Sequence, residues 1–219
     1  MKWMVLGSHK GLGAAIVKEL LQGVDQSTSA LSVVGVSRKD EGLWNEDPRY
    51  TFLSYDFADE GFYEGLLTQV QMFAPDHIIY CAGGGPFGPY GGQKWNAHQW
   101  TYKVNFMWPA QLCWYLAHNF TKTKFTFIGS SIAEAQVGDP AGASYAASKW
   151  AMRGLISSLQ EHYPQRFYLY SPGYMDTDML PPKSYPRMNG DRILNPAEVA
   201  ADLVQWLTDS SKNDFHKTV

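Results

Sequence analysis

Lys2-Trp3-Met4-Val5-Leu6-Gly7-Ser8-His9-Lys10-Gly11-Leu12-Gly13-Ala14-Ala15-Ile16 is the stretch on which the fold turns. Residues 2–6 form a short apolar run, the pattern of a buried strand. From Gly11 to Gln22, Leu12, Ala15, Ile16, Glu19 and Leu20 recur at helical spacing, with one apolar face. Between the two lies Gly-x-x-x-Gly-x-Gly. Such glycines let the backbone turn sharply and approach a phosphate, while the unpaired N–H groups of the following helix point at that anion. A glycine cluster alone is an ordinary turn. A strand before it and a helix after it make it a candidate dinucleotide loop.

The same alternation continues along the chain. Strands are expected at Leu31–Ser37, Tyr50–Ser54, His77–Cys81, Lys124–Gly129 and Arg166–Ser171. Helices are expected near Glu60–Phe73, stopped by Pro75, and at His98–Asn119, Ser144–His162 and Pro196–Thr208. Asn195 is the N-cap of the last, with Glu198 completing a capping box. Strand–helix alternation implies an α/β, Rossmann-like, doubly wound parallel sheet with helices on both faces, in three layers. No repeat, low-complexity tract or linker divides residues 1–219, so one domain is expected. Two Gly/Pro-rich loops, Gly83–Gly92 and Pro181–Asn195, follow strands at the carboxyl edge, where such sheets bind ligands.

Composition narrows the function classes. Formal net charge is −3 and no Lys/Arg run exists, which argues against a nucleic-acid partner. No apolar stretch is long enough for a membrane span. The apolar start is cut short by Gly7 and reads as a strand, not a signal peptide. Cys81 and Cys113 make no metal-type or redox-type pair, and the six His show no ligand spacing. A cytoplasmic protein without a metal is expected. Aromatics reach 15%, with eight Trp, which fits a filled core and leaves room for an aromatic cleft or interface.

Tyr145-Ala146-Ala147-Ser148-Lys149 places Tyr and Lys on one helix face, one turn apart. A phenol titrates near ~10, too high for a base at neutral pH, and a nearby ammonium lowers that value. The phenol can then exchange a proton with an alcohol or carbonyl. Ser130 and Ser131 follow the fifth strand, 15 and 14 residues before Tyr145. A serine hydroxyl there can hold a substrate oxygen as it gains charge. At the end of the second strand, Ser37-Arg38-Lys39 lacks the acid that holds a ribose 2′-hydroxyl. Arg38 instead offers a planar fork suited to a 2′-phosphate, although Asp40 and Glu41 lie close by.

Taken in order, these motifs resemble the short-chain dehydrogenase/reductase family, compact type, over residues 3 to about 208. The extended relatives acting on nucleotide sugars fit poorly in glycine spacing and length. The resemblance implies hydride transfer between NADP(H), favoured over NAD(H), and a small to medium carbonyl or secondary alcohol. Tyr145 is then the acid/base, with Lys149, Ser130 or Ser131, and Asn105 (in Val104-Asn105-Phe106) completing the site. The Ser–Tyr gap is slightly longer than the family's. Motif match favours Ser130, whereas spacing favours Ser131. The implied cofactor contacts are Gly7, Ser8, His9, Lys10, Gly11, Leu12, Gly13, Ser37, Arg38, Asp56, Phe57, Ala82, Gly83, Tyr145, Lys149, Pro172, Gly173, Met175 and Thr177.

Lys10 stands where NADP-preferring relatives carry a basic residue. Leu6 replaces the family's threonine, and Cys81 its asparagine before Ala-Gly. Asp56 has an alternative as a cap or a surface charge. Only Ser210–Val219 remains for a seventh strand, which is short, absent or trimmed. The resemblance further implies a homodimer, with a tetramer as the larger alternative. The expected interface helices lie at 101–119 and 144–162, with Trp108, Trp114, Tyr115 and Trp150 across it. An apolar pocket is expected from Phe87, Tyr90, Trp95, Tyr174, Met179 and Leu180. The competing reading is a catalytically weak NADP(H)-binding sensor or scaffold.

Overall fold

The computed structural model describes residues 1–22, 31–39, 42, 44–59, 61–135, 141–209, 211 and 214–219. Asp40 and Glu41 lie outside them. Among the described residues, seven strands form one sheet in the order β3-β2-β1-β4-β5-β6-β7. They are β1 (Lys2–Leu6), β2 (Ser32–Ser37), β3 (Tyr50–Ser54), β4 (His77–Tyr80), β5 (Lys124–Ile128), β6 (Phe167–Ser171) and β7 (His216–Thr218). Every pairing is parallel, from Met4↔Val34 and Met4↔Ile78 at the centre to Tyr170↔Lys217 at the edge. The expected three-layer α/β/α, Rossmann-like architecture is therefore present.

Strand residues alternate between the two faces. Met4, Leu6, Ile78, Tyr80, Phe125 and Phe127 pack one way, against α2 (Phe62–Phe73), α4 (Trp108–Asn119) and α5 (Ala143–His162). Trp3, Val5, Val33, Ile79, Tyr168 and Tyr170 pack the other way, against α1 (Gly11–Gln22) and α7 (Pro196–Thr208). The chain adds β2 and β3 on one side of β1, then crosses to add β4 on the other. That reversal opens a crevice at the carboxyl ends of β1 and β4, the usual ligand position in open α/β sheets. No helix among the described residues is long and apolar enough to cross a membrane.

Two expectations change in detail, and one open alternative is decided. The helix read as His98–Asn119 begins earlier and is interrupted: α3 covers Trp95–Tyr102, a π turn covers Lys103–Met107, and α4 follows. Pro109 has no N–H for the carbonyl four residues back, and its ring crowds that carbonyl, so the wider turn relieves the conflict. The loop Pro181–Asn195 contains a short helix, α6 (Tyr185–Asn189), with Pro186 in its first turn and Gly190 in the left-handed conformation after it (φ 73°). The seventh strand is present but short, three residues long. As expected, Asn195 caps α7, its Oδ1 accepting from the Ala197 N–H at 2.9 Å.

Candidate active site

The glycine loop joins β1 to α1 across the crevice. Gly7 has φ 92° and donates its N–H to the Val36 carbonyl at 2.7 Å. A Cβ at Gly7 would sit 2.5 Å from the Ala82 nitrogen, so β1 and the chain leaving β4 cross with no room for a side chain. A Cβ at Gly13 would lie 2.0 Å from the Gly7 carbonyl oxygen. The loop thus folds back onto the first turn of α1, and Leu12 buries its side chain beneath it. Ser8 is 7% exposed, and its Oγ has no hydrogen-bond partner among the described residues. His9 is half-buried beside it.

Other segments close around this loop. Thr177 places its Cγ2 3.3 Å from where a Gly11 Cβ would be. It lies in the Pro172–Thr177 segment after β6, where Pro172 accepts from the Ser131 N–H at 2.9 Å and Gly173 donates to Val219 at 2.9 Å. Met175 bridges to Leu194. Lys10 reaches the same segment, with its Nζ 2.7 Å from Asp178 Oδ2 and both side chains largely exposed. That ammonium holds the Asp178 carboxyl below the usual carboxylate range. Arg38 is exposed past β2, and Ser37 Oγ donates to the Lys39 carbonyl at 2.7 Å. Asp56 caps a local turn, its Oδ1 accepting from the Ala58 N–H at 2.8 Å. Phe57 is 7% exposed, and its ring packs edge-on against Phe62 and Tyr80 in the core.

Tyr145 and Lys149 share the inner face of α5. Lys149 is 5% exposed; its Nζ donates to the Ile128 carbonyl at 2.7 Å and lies 5.3 Å from the Tyr145 ring centroid. Burial lowers the Lys149 ammonium to about 7, with a smaller opposing pull from Cys81. The Cys81 thiol is pushed up to about 12 by burial, against the pull of Lys149. A Cβ at Gly83 would lie 2.6 Å from Asn105 Oδ1 and 3.8 Å from Lys149 Nζ, so the strand-end glycine touches both. Asn105 is fully buried in the π turn. Its Nδ2 donates to the Gly84 carbonyl at 2.7 Å and its Oδ1 accepts from the Gly84 N–H at 3.1 Å.

Ser130 lies two residues past β5 in an extended conformation, and its Oγ accepts weakly from the Ile132 N–H at 3.4 Å. Ser131 opens the 3₁₀ turn Ser131–Ala133. Both serines are half-buried on the same strand end as the Ile128 carbonyl that holds Lys149.

Sequence reasoning missed two groups. Glu134 ties the serine turn to its surroundings: it accepts from Arg153 Nε at 2.7 Å and Ser171 Oγ at 3.0 Å, and lies 3.1 Å from His216 Nε2. His98 is buried against the start of α5, with Ser144 as its partner. Neither carries a local signal, because the partners come from other elements. Of the expected pocket side chains, Leu180 is buried, whereas Phe87, Tyr90, Trp95, Tyr174 and Met179 are exposed by 43–58%. Of the four interface aromatics, Tyr115 faces the core and Trp108 packs against Phe62 and Tyr63; only Trp114 and Trp150 stand out from the surface.

The short-chain dehydrogenase family model matches residues 2–187, and the chain belongs to that family of oxidoreductases. A curated relative, the PIGF/3-ketodihydrosphingosine reductase fusion protein of Schizosaccharomyces pombe, is 24% identical over 97% of this chain and 46% of its own length. The chain thus spans about half the length of that relative. Among solved structures, 4-hydroxyisoleucine dehydrogenase complexed with NADH has TM-score 0.84 and 19% identity, covering 100% of this chain and 96% of its own. BdcA in complex with NADPH gives 0.81 and 22%, covering 100% and 92%. A short chain dehydrogenase family protein from Francisella tularensis subsp. tularensis SCHU S4 gives 0.82 and 20%, covering 100% and 96%.

Proposed function

We propose that the protein transfers hydride between NADP(H), preferred over NAD(H), and a small to medium carbonyl compound or secondary alcohol. The reading rests above all on the placing of Tyr145 one turn from a buried Lys149, beside Gly83 and the glycine loop. Three features support a dinucleotide. The cradle at Gly7 and Gly13 leaves no room for a Cβ, the buried Ser8 hydroxyl lacks a partner among the described residues, and the loop leads straight into the N-terminus of α1, whose first N–H groups are free of intrahelical bonds. Relatives of the same fold were solved with NADH and with NADPH. Arg38 at the end of β2, where no acid stands, supports the 2′-phosphate form. The bound nicotinamide supplies or accepts the hydride.

The remaining work falls to the chain. Tyr145 gives its phenolic proton to the carbonyl oxygen in reduction and takes it back in oxidation. Lys149, when protonated, favours the phenolate. Ser130 or Ser131 donates a hydrogen bond to the oxygen gaining charge. Asn105 holds Gly84, and with it the loop that covers Tyr145. Gly7–Gly13, the backbone at Asp56–Phe57 and Ala82–Gly83, and Pro172–Thr177 would hold the cofactor. The exposed aromatics of 87–95 and 174–179 suit an apolar substrate. We take residues 1–219 as one such unit. Free cysteines at 81 and 113 suit the reducing cytoplasm.

Tyr145→Phe tests the assignment. It should keep NADPH binding, read by fluorescence, and lose carbonyl reduction at least a hundredfold across a panel of ketones and aldehydes. If the unchanged protein reduces nothing with either cofactor, it is a cofactor-binding sensor or scaffold instead. The exposed Trp114 and Trp150 support a homodimer through α4 and α5. A monomer at micromolar concentration in sedimentation would rule that out.

A further inference from the structure

His98 occupies a place in α3 that the reaction as described does not use. It is 3% exposed, and both ring nitrogens are engaged: Nδ1 lies 2.6 Å from Ser144 Oγ and Nε2 lies 3.1 Å from the Tyr90 carbonyl oxygen. A carbonyl can only accept, so Nε2 carries the proton and donates. In the neutral ring, Nδ1 is then left to accept from the Ser144 hydroxyl. Ser144 is 2% exposed and directly precedes Tyr145. Among the described residues, no side chain caps the first turn of α5, where Gly142 stands at the capping position. His98–Ser144 is therefore a side-chain tether where α5 begins.

The other end of the tether is the glycine-rich loop. Tyr90 opens the 3₁₀ turn Tyr90–Gly92, and its ring lies 4.5 Å from the His98 ring. The loop meets the approach to α5 again at Gly88, whose N–H donates to the Ala141 carbonyl at 2.9 Å. It then passes over the site, so that a Cβ at Gly85 would lie 3.2 Å from Tyr145 Cβ. Loop and tyrosine are held as one unit, and His98 is the side chain bonded to both ends.

We propose that His98 is a positioning residue for Tyr145, setting the phenol through Ser144 and coupling it to the substrate loop through the Tyr90 carbonyl. This rests on Tyr145 being the acid/base, and adds a residue that touches neither substrate nor cofactor. Two substitutions separate the arms. An Asn amide can reach the Nδ1 position and a Gln amide the Nε2 position. His98→Asn keeps the Ser144 bond and releases the loop; His98→Gln keeps the Tyr90 bond and releases α5.

Steady-state kinetics with NADPH and the best ketone of the panel, with pH–rate profiles, provide the test. His98→Gln should lower kcat about tenfold or more and displace the apparent pKa of the profile, with cofactor KM unchanged. His98→Asn should mainly raise ketone KM. Ser144→Ala should match His98→Gln, and the double variant should be no worse than either single one. Equal Tm losses in both His variants, with kcat and the pH profile as in the unchanged protein, would make His98 structural only and overturn the proposal. If Tyr145→Phe retains activity, the acid/base reading fails instead, a result distinct from failure of the His98 variants alone.

Discussion

The Nζ of Lys149 donates to the carbonyl oxygen of Ile128 across 2.7 Å, where β5 gives way to the serine turn. Burial lowers that ammonium from 10.5 to about 7. Between those values the unfolded chain binds more protons than the folded one, so stability rises with pH across the window. The destabilisation is full below about 7 and relieved towards 10.5. Urea unfolding of the native protein, relative to Lys149→Met, should show a stability difference that moves in favour of the native lysine between pH 7 and 10. The gain should be at most about 4 kcal/mol. A flat difference across the window would reject the buried-ammonium account.

Two glycines on helices should respond oppositely to alanine. Gly13→Ala drives a Cβ to 2.0 Å from the Gly7 carbonyl oxygen, against backbone that cannot yield. It should cost about 3 kcal/mol or more in stability and weaken NADPH binding in a fluorescence titration. Gly154→Ala, on α5, meets nothing within 4 Å and should stabilise by about 0.5–1 kcal/mol. Thermal unfolding of the pair reads both signs at once.

Asn105→Asp keeps the acceptor for the Gly84 N–H and loses the donor to its carbonyl. It also places a carboxylate against a carbonyl oxygen in a fully buried site. The expected loss is about 2–4 kcal/mol, since a buried unsatisfied group near charge is costly. Protonation restores a donor, so the loss should shrink as pH falls. Denaturant midpoints at pH 5 and pH 8 check this; equal losses at both would count against the two-bond clasp.

The proposed preference for NADP(H) rests on Arg38. Arg38→Asp should weaken NADPH binding at least tenfold while leaving NADH binding within a few-fold. Equal effects on the two would defeat the 2′-phosphate assignment. Asp178→Ala frees Lys10 from an exposed ion pair, and such pairs contribute little. NADPH affinity in that variant should rise slightly or stay level, measured by the same titration.

The sheet was readable because its strands are dense apolar runs: Met4-Val5-Leu6, Ile78-Ile79-Tyr80 and Phe125–Ile128 each bury both faces. The Tyr145–Lys149 spacing and the glycine loop were readable for the same local reason. The His98–Ser144 and Lys10–Asp178 pairs join residues 46 and 168 positions apart, and no periodicity encodes them. Trp108 and Tyr115 show a related limit, because an aromatic on a helix points to core or surface according to a phase that only packing fixes. The helix read as continuous over His98–Asn119 runs through Pro109, and whether that proline breaks, kinks or widens a helix depends on what the flanking turns touch.

The π turn has a consequence for what this helix can tolerate. An α-helix advances by about 100° per residue. Upstream of the wide turn's end, Asn105 must face Gly84. Downstream, Leu112 and Leu116 must face the sheet, while Trp114 stays outside. The extra residue in the turn acts as a vernier, letting two rigid segments keep separate angular settings. Deleting one residue other than Asn105 from Lys103–Met107 would bring them into a common phase, so that either the asparagine leaves its glycine or the leucines leave the core.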